Sequence, residues 1–334
     1  MPKPDVTIVM SPRERFHLTR RSIESLYDDQ GVPFDFICVD GGSPRAVRNY
    51  LRAESRRRNF KLIRTPHYLA PNEARNLALD EVKTRYTVFV DNDVVVAPGW
   101  LDYLVRCADE TNAAIVSPLT CIGEPVHTTI HMAGGEASVI VEGEQRLFHE
   151  THRFPNRPIA EVRDQLVREL TELAEFHCML VRTEWLARLG PFDENLKATF
   201  EHDDFCMLVR QQGGVVMIEP RSLVTQVFGP PLSLSELKFF YCRWSDEWAA
   251  ESERYFHKKW GTVFDDRVLR EYVVHHRRHA LPGLRRAVRA LAGWRISEWV
   301  LYRVEDFFVW RAMRDRAVAP GSPPREALAR KIHA

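Results

Sequence analysis

A chain of 334 residues, 45% hydrophobic and 28% charged, can hold one large domain or two smaller ones, with ample core. Its formal net charge of +1 gives no global case for nucleic-acid binding. No stretch approaches the ~20 apolar residues that a bilayer-spanning helix needs.

The amino-terminal MPKPDVTIVM runs straight into a strand-like segment without a basic-then-apolar signal sequence, which makes a cytoplasmic protein the default expectation. VTIVM (6–10) is the first strand, and Phe16, Thr19, Ile23 and Leu26 recur behind it at helical spacing. DFICVD (35–40) is the second, followed by a helix around Ala46, Val47, Tyr50 and Leu51. FKLIRT (60–65) is the third, with NEARNLALDEV (72–82) as its helix. YTVFVD (86–91) is the fourth, before a helix from Trp100 to Ala108 and a strand at AAIVSP (113–118). Repeated β-α units imply a parallel sheet with helices on both faces, and ligands in such sheets bind beyond the carboxyl ends of the strands. Asp40 and Asp91 both stand at such ends.

The middle is less regular. Residues 126–150 have the look of short antiparallel strands and turns, and Val162, Leu166, Leu170 and Leu173 mark a helix. FHCMLVR (176–182) is a strand, EWLARLG a short helix, GPFDENL (190–196) a turn, DDFCMLVRQQGG (203–214) a helix stopped at Gly213, and VVMIEP (215–220) a closing strand. Pro230 and Pro231 mark a boundary, beyond which the chain reads as helical apart from APGSPP (319–324). The cysteines at 38, 107, 121, 178, 206 and 242 lie mostly within apolar runs and form no C-x-x-C pair. They read as reduced core residues, not as a disulfide frame or zinc site.

Three constellations can carry chemistry. In the extended DND segment Asp91 and Asp93 point the same way while Asn92 faces elsewhere, so both carboxylates can share one hard cation such as Mg²⁺ or Mn²⁺; an Asx-rich turn is the bland alternative. Asp40, in ICVDGGSP, precedes glycines that let the backbone turn and approach a ligand, and its carboxylate can accept from base or ribose donors. Glu201, Asp203 and Asp204 precede or open a helix, where free N–H groups favour anions; ordinary capping accounts for them equally well. SPRERF stands where a dinucleotide fingerprint would follow the first strand, and there is no G-K-[ST] loop.

The ordered series of a first strand ending near SP, then VDGGS, EARNLAL, FVDNDVVVAPGWL, MLVRTEWLARLGPFDENL and HDDFCMLVRQQGG resembles a family-2 glycosyltransferase with the GT-A fold, over residues from about 5 to 228. The resemblance implies an α/β fold with a mostly parallel, Rossmann-like sheet flanked by helices, a catalytic domain over 1–229 and a helical C-terminal extension over 230–334. It implies a nucleotide-diphospho-sugar donor, UDP-linked by first choice, with donor contacts at Ser11, Asp40, Arg75, Asp91, Asn92 and Asp93. Asp91 and Asp93 match the D-x-D motif that holds Mn²⁺ or Mg²⁺. Asp204 matches the general base and Asp203 a supporting acid, with Glu201 a rival if the register shifts. Many relatives complete the metal site with a histidine after the closing strand; here Gln226 stands at about that place, and His202 or His177 can substitute.

The implied reaction is inverting transfer to an acceptor hydroxyl, with Asp204 taking its proton. A catalytically inactive nucleotide-sugar-binding protein and a nucleotidyltransferase are the alternatives. Between 285 and 316, eight arginines from Arg285 to Arg316 interleave with Trp294, Trp299, Tyr302, Phe307, Phe308 and Trp310. Such a stretch can lie on an anionic membrane surface, or dock its aromatics on the catalytic domain or a dimer partner.

Overall fold

The computed structural model describes residues 4–12, 14–28, 31–229 and 232–277, with short stretches between 286 and 311. The first half winds as β1 (Val6–Ser11), α1 (Thr19–Asp28), β2 (Phe34–Gly41), α2 (Arg45–Arg58), β3 (Lys61–Thr65), α3 (Pro71–Leu79), β4 (Tyr86–Asp91), β5 (Val94–Val96) and α4 (Trp100–Thr111). It continues through β6 (Ile115–Ile122), β7 (Ile130–Met132), β8 (Gly135–Glu142), β9 (Gln145–His152), α5 (Ile159–Val162), β10 (Glu169–Leu170), β11 (Cys178–Arg182) and α6 (Thr183–Leu189). Then come α7 (Glu201–Gln211), β12 (Val216–Gln226), α8 (Leu234–Arg243), a π-helical turn at Asp246–Ala250, α9 (Glu251–Trp260) and α10 (Asp266–Arg277).

The main sheet runs β10-β12-β6-β11-β4-β1-β2-β3, with β5 on β12 and β7 on β6, while β8 and β9 form a separate hairpin. β1 is parallel to β2 and β4, and β2 to β3, as the β-α repeats predict. Beyond β4 the sheet is mixed, because β11 enters antiparallel to both β4 and β6. β1, β4 and β11 read as nearly continuous apolar runs because both faces are covered. Val6, Ile8 and Met10 pack on one side with Ile23, Trp100 and Leu104. Val9 points to the other, with Ile37, Phe89, Phe176 and Phe205. All six cysteines are buried, and none is in a disulfide.

One predicted element is corrected. The helix expected through Val162 and Leu173 ends at Val162, gives way to a 3-10 turn at Arg163–Gln165, and is followed by β10. Sheet-edge pairing wins over helical spacing: Glu169 and Leu170 pair with Ile218 and Met217, and the Thr171 N–H donates to the Val216 carbonyl. Leu170, one of the four residues at helical spacing, is 72% exposed, whereas Leu173 is buried.

The C-terminal helices fold back on the first half. Leu237, Phe239, Tyr241 and Trp248 form one cluster with Phe16, Ala70 and Ala198. Pro230 and Pro231 lie outside the described residues, as do Arg285, Trp294, Arg295, Trp299, Tyr302, Trp310, Arg314 and Arg316. Phe308, from the same stretch, stacks on Tyr241 with ring centroids 5.6 Å apart and planes at 8°.

Candidate active site

Two carboxylates close the apolar run of β4 because three strand ends meet there. Ser11 pairs with Asp91 across β1 and β4, and the Asp91 N–H donates to the His177 carbonyl just before β11. The DND segment is not extended throughout: β4 ends at Asp91, Asn92 and Asp93 form a turn, and β5 begins at Val94. Asn92, 1% exposed, turns away and donates its amide to the carbonyls of Glu14 (2.9 Å) and Arg15 (3.3 Å). Asp91 and Asp93 stay together, and their carboxylate oxygens and an imidazole nitrogen of His177 all lie within 4.8 Å of one another. His177 Nδ1 is 3.1 Å from Asp91 Oδ2. Burial works against a charged His177, but Glu175, Asp91 and Asp93 outweigh it and hold the imidazole above its ordinary value. β12 runs on to Gln226, opposite Val94, which brings the Gln226 amide to donate to Asp93 Oδ2 at 3.3 Å. An oxygen-rich pair with one imidazole fits Mn²⁺ or Mg²⁺.

Beside this corner lies a small cleft lined by Ser11, Arg75, Asp91 and Phe176 among others. Arg75 is 5% exposed; its guanidinium sits 3.6 Å from the Phe176 ring centre, donates to Asn72 Oδ1 at 2.8 Å and lies 3.9 Å from Glu201. Ser11 donates its hydroxyl to the Val39 carbonyl at 3.1 Å. Asp40 is fully buried and engaged within the chain: one oxygen accepts the Ser43 N–H, the other Arg64 Nε, each at 2.8 Å. Gly42, at φ 75°, supplies the left-handed turn behind it.

The acids that open α7 divide between two surroundings. Asp204 accepts from Lys259 Nζ at 2.8 Å and from Trp260 Nε1 at 3.0 Å, both on α9; burial still pushes its carboxyl up. Asp203 is 1% exposed, and neither of its oxygens has a hydrogen-bond partner. Burial pushes its carboxyl up to about 7, with His202 pulling down and Glu150 and Glu175 adding to the rise. His202 Nε2 lies 3.3 Å from Asp203, so this histidine belongs to the α7 end and not to the Asp91–Asp93 corner.

A family model, Glycosyl transferase family 2, matches residues 7–190, more than half of the chain. The chain belongs to glycosyl transferase family 2. This family-2 chain is 25% identical over 222 residues to the pre-mycofactocin glycosyltransferase of Mycobacterium tuberculosis, a match covering 66% of the chain and 42% of that protein. It is 30% identical over 112 residues to the succinoglycan biosynthesis protein ExoO of Rhizobium meliloti, covering 34% and 32% respectively. The chain thus spans less than half the length of the curated relatives it matches. Among solved structures it is similar in fold to GalNAc-T7 with UDP, GalNAc and Mn²⁺ (TM-score 0.53, 16% identity, 86% of this chain and 57% of that one). The mannosyltransferase PcManGT of Pyrobaculum calidifontis with GDP-Man and Mn²⁺ gives a TM-score of 0.50 at 13% identity, covering 96% and 89%. These likenesses establish a GT-A fold.

The family-2 motifs did not point to Lys259 and Trp260, which reach the α7 acids from far along the chain, nor to His131, His152, Glu150 and Glu175. A weak signal was available for one of these: His131 stands between Ile130 and Met132, a polar residue alternating with apolar neighbours. No helix among the described residues is long and apolar enough to cross a membrane.

Proposed function

We infer that the chain is an inverting glycosyltransferase that moves a sugar from a nucleotide-diphospho-sugar to an acceptor hydroxyl. The supporting observation is the convergence of Asp91, Asp93 and His177, with Asp91 also lining a cleft beside Ser11 and Arg75. A Mn²⁺ or Mg²⁺ ion held by Asp91 and Asp93, with His177 as the imidazole ligand and Gln226 against Asp93, would supply positive charge to the departing diphosphate. Arg75 adds a fixed cation whose plane is set by Phe176 and Asn72, suited to orienting the donor. UDP is the first candidate base carrier; GalNAc-T7 with UDP and PcManGT with GDP-Man bracket the choice.

The proton of the acceptor hydroxyl goes to an acid at the start of α7. Asp204 is the first assignment, and Lys259 beside it opposes the rise that burial imposes on its carboxyl. Asp203 is the second, favoured by one observation: its oxygens lack hydrogen bonds and its pKa of about 7 suits a base working near neutrality. In either case the oxygen attacks the anomeric carbon from the face opposite the leaving diphosphate, as in inverting glycoside hydrolysis.

The test is product analysis with UDP-, GDP- and dTDP-sugars in the presence of Mn²⁺. Free nucleoside diphosphate is expected; pyrophosphate would mean nucleotidyl transfer, and binding without turnover an inactive binding protein. Asp93→Asn is expected to cut turnover by roughly 10²–10³-fold. Of Asp204→Asn and Asp203→Asn, the base variant loses transfer yet keeps donor binding; full turnover in both would remove this pair from the mechanism.

A further inference from the structure

Next to the Asp91–Asp93 corner lies a second set of donor groups that sugar transfer does not use. His131 comes from β7, His152 from the end of β9 and Glu175 from the loop before β11, so three separate segments converge. One donor atom from each lies within 4.8 Å of the other two. The imidazoles of His131 and His152 meet edge to face, with centroids 5.1 Å apart at 84°. Glu175 is 8% exposed, a burial that is costly for a lone carboxylate.

Nε2 of His131 lies 2.9 Å from Oε2 of Glu175, an ion pair across two segments far apart in the chain. Donor atoms held this close can also share one cation between them. Glu175 Oε1 lies 3.8 Å from His152 Nε2, and Glu150 Oε1 3.0 Å from the same nitrogen, which makes Glu150 the nearest further ligand. A metal-free cluster in which a charged His131 pairs with Glu175 is the competing account, and the metal titration below separates the two.

We propose that His131, His152 and Glu175 form a second metal site, selective for a zinc-type transition-metal dication and separate from the Asp91–Asp93 corner. The ligand chemistry separates the two. Two imidazoles and one carboxylate suit Zn²⁺ or Co²⁺, whereas an aspartate pair suits Mg²⁺ or Mn²⁺. His177 stands between them, 3.9 Å from Glu175 on one side and hydrogen-bonded to Asp91 on the other. An ion here ties the β8–β9 hairpin, through His152, to the mouth of the main sheet, through His131 and Glu175. The proposal does not depend on the sugar-transfer reading, since its ligands are not those of the donor.

The full chain, stripped with a chelator, is titrated with Co²⁺ under excess Mg²⁺, reading bound metal and the visible absorption of low-coordinate cobalt. About one equivalent is expected, retained in Asp93→Asn and weakened roughly tenfold or more in His131→Gln and His152→Gln. Loss of the cobalt signal in Asp93→Asn with retention in the histidine variants would assign the ion to the donor corner and overturn the proposal. Because His131 lies in a strand, circular dichroism checks each variant, and X-ray absorption of the wild-type zinc form gives an answer independent of substitution. Two imidazole ligands support the site. One imidazole, as Asp91–Asp93–His177 or Glu150–His202–Asp203 would give, or none, refutes it.

Discussion

At the scale of single residues, the start of α7 sets two neighbouring aspartates to different tasks. Asp204 is satisfied by Lys259 and Trp260, whereas Asp203 sits among Glu150, Glu175 and His202 with no donor of its own. Asp203 therefore binds its proton more tightly in the folded chain, at about 7, than in the unfolded one, where aspartate titrates near ~3.9. The stabilisation this gives is complete below the unfolded value and is lost as pH rises through about 7. In chelator, Asp203→Asn should melt above wild type at about pH 8, by roughly a few degrees, with the gap closing below about pH 4. Equal melting across that range would mean that Asp203 is not strained by its charge.

Among elements, α9 is the one whose reach into the site no periodicity foretells. Lys259 joins Asp204 at 2.8 Å and Asp193 at 3.1 Å, so one cation bridges the α7 acid and the GPFDENL turn. Lys259→Met leaves both carboxylates without it and should cost roughly 1–3 kcal/mol in urea unfolding. Combined with Asp204→Asn the loss should be less than additive; strict additivity would mean that the two do not interact.

The same scale explains what could be read in advance. β1, β2 and β4 were legible because strands covered on both faces are largely apolar, and the acids at the ends of β2 and β4 stood out against that background. The Val162–Leu173 segment was not, because a helical spacing of apolar residues carries no information about a free edge on β12 waiting for a partner. Asp40 was legible as a strand-end acid, but its use by Ser43 and Arg64 depends on a tertiary contact with β3. His131, His152 and Glu175 are brought together only by folding, and no local spacing joins them.

For the molecule as a whole, the C-terminal helices share one buried cluster with residues of the family-2 region. Tyr241 is fully buried with Phe308 stacked on it, and Leu301 is 1% exposed. Removing residues 283–334 should therefore lower the melting temperature by several degrees. If docking is the main use of those aromatics, the full and shortened chains will sediment equally little with anionic vesicles. Sedimentation of the full chain alone would instead assign the basic-aromatic stretch to a membrane surface.

The middle residue of the DND motif has a mechanical consequence. Asn92 grips the backbone of Glu14 and Arg15, and the Glu14 carboxylate holds Trp244 Nε1 at 2.8 Å and Arg243 at 3.0 Å. A strut thus runs from the acids at the end of β4 to an indole that is only 5% exposed. Any shift of that corner on loading should reach Trp244 as a change in its fluorescence, and Asn92→Ala should silence the reporter while leaving both aspartates in place.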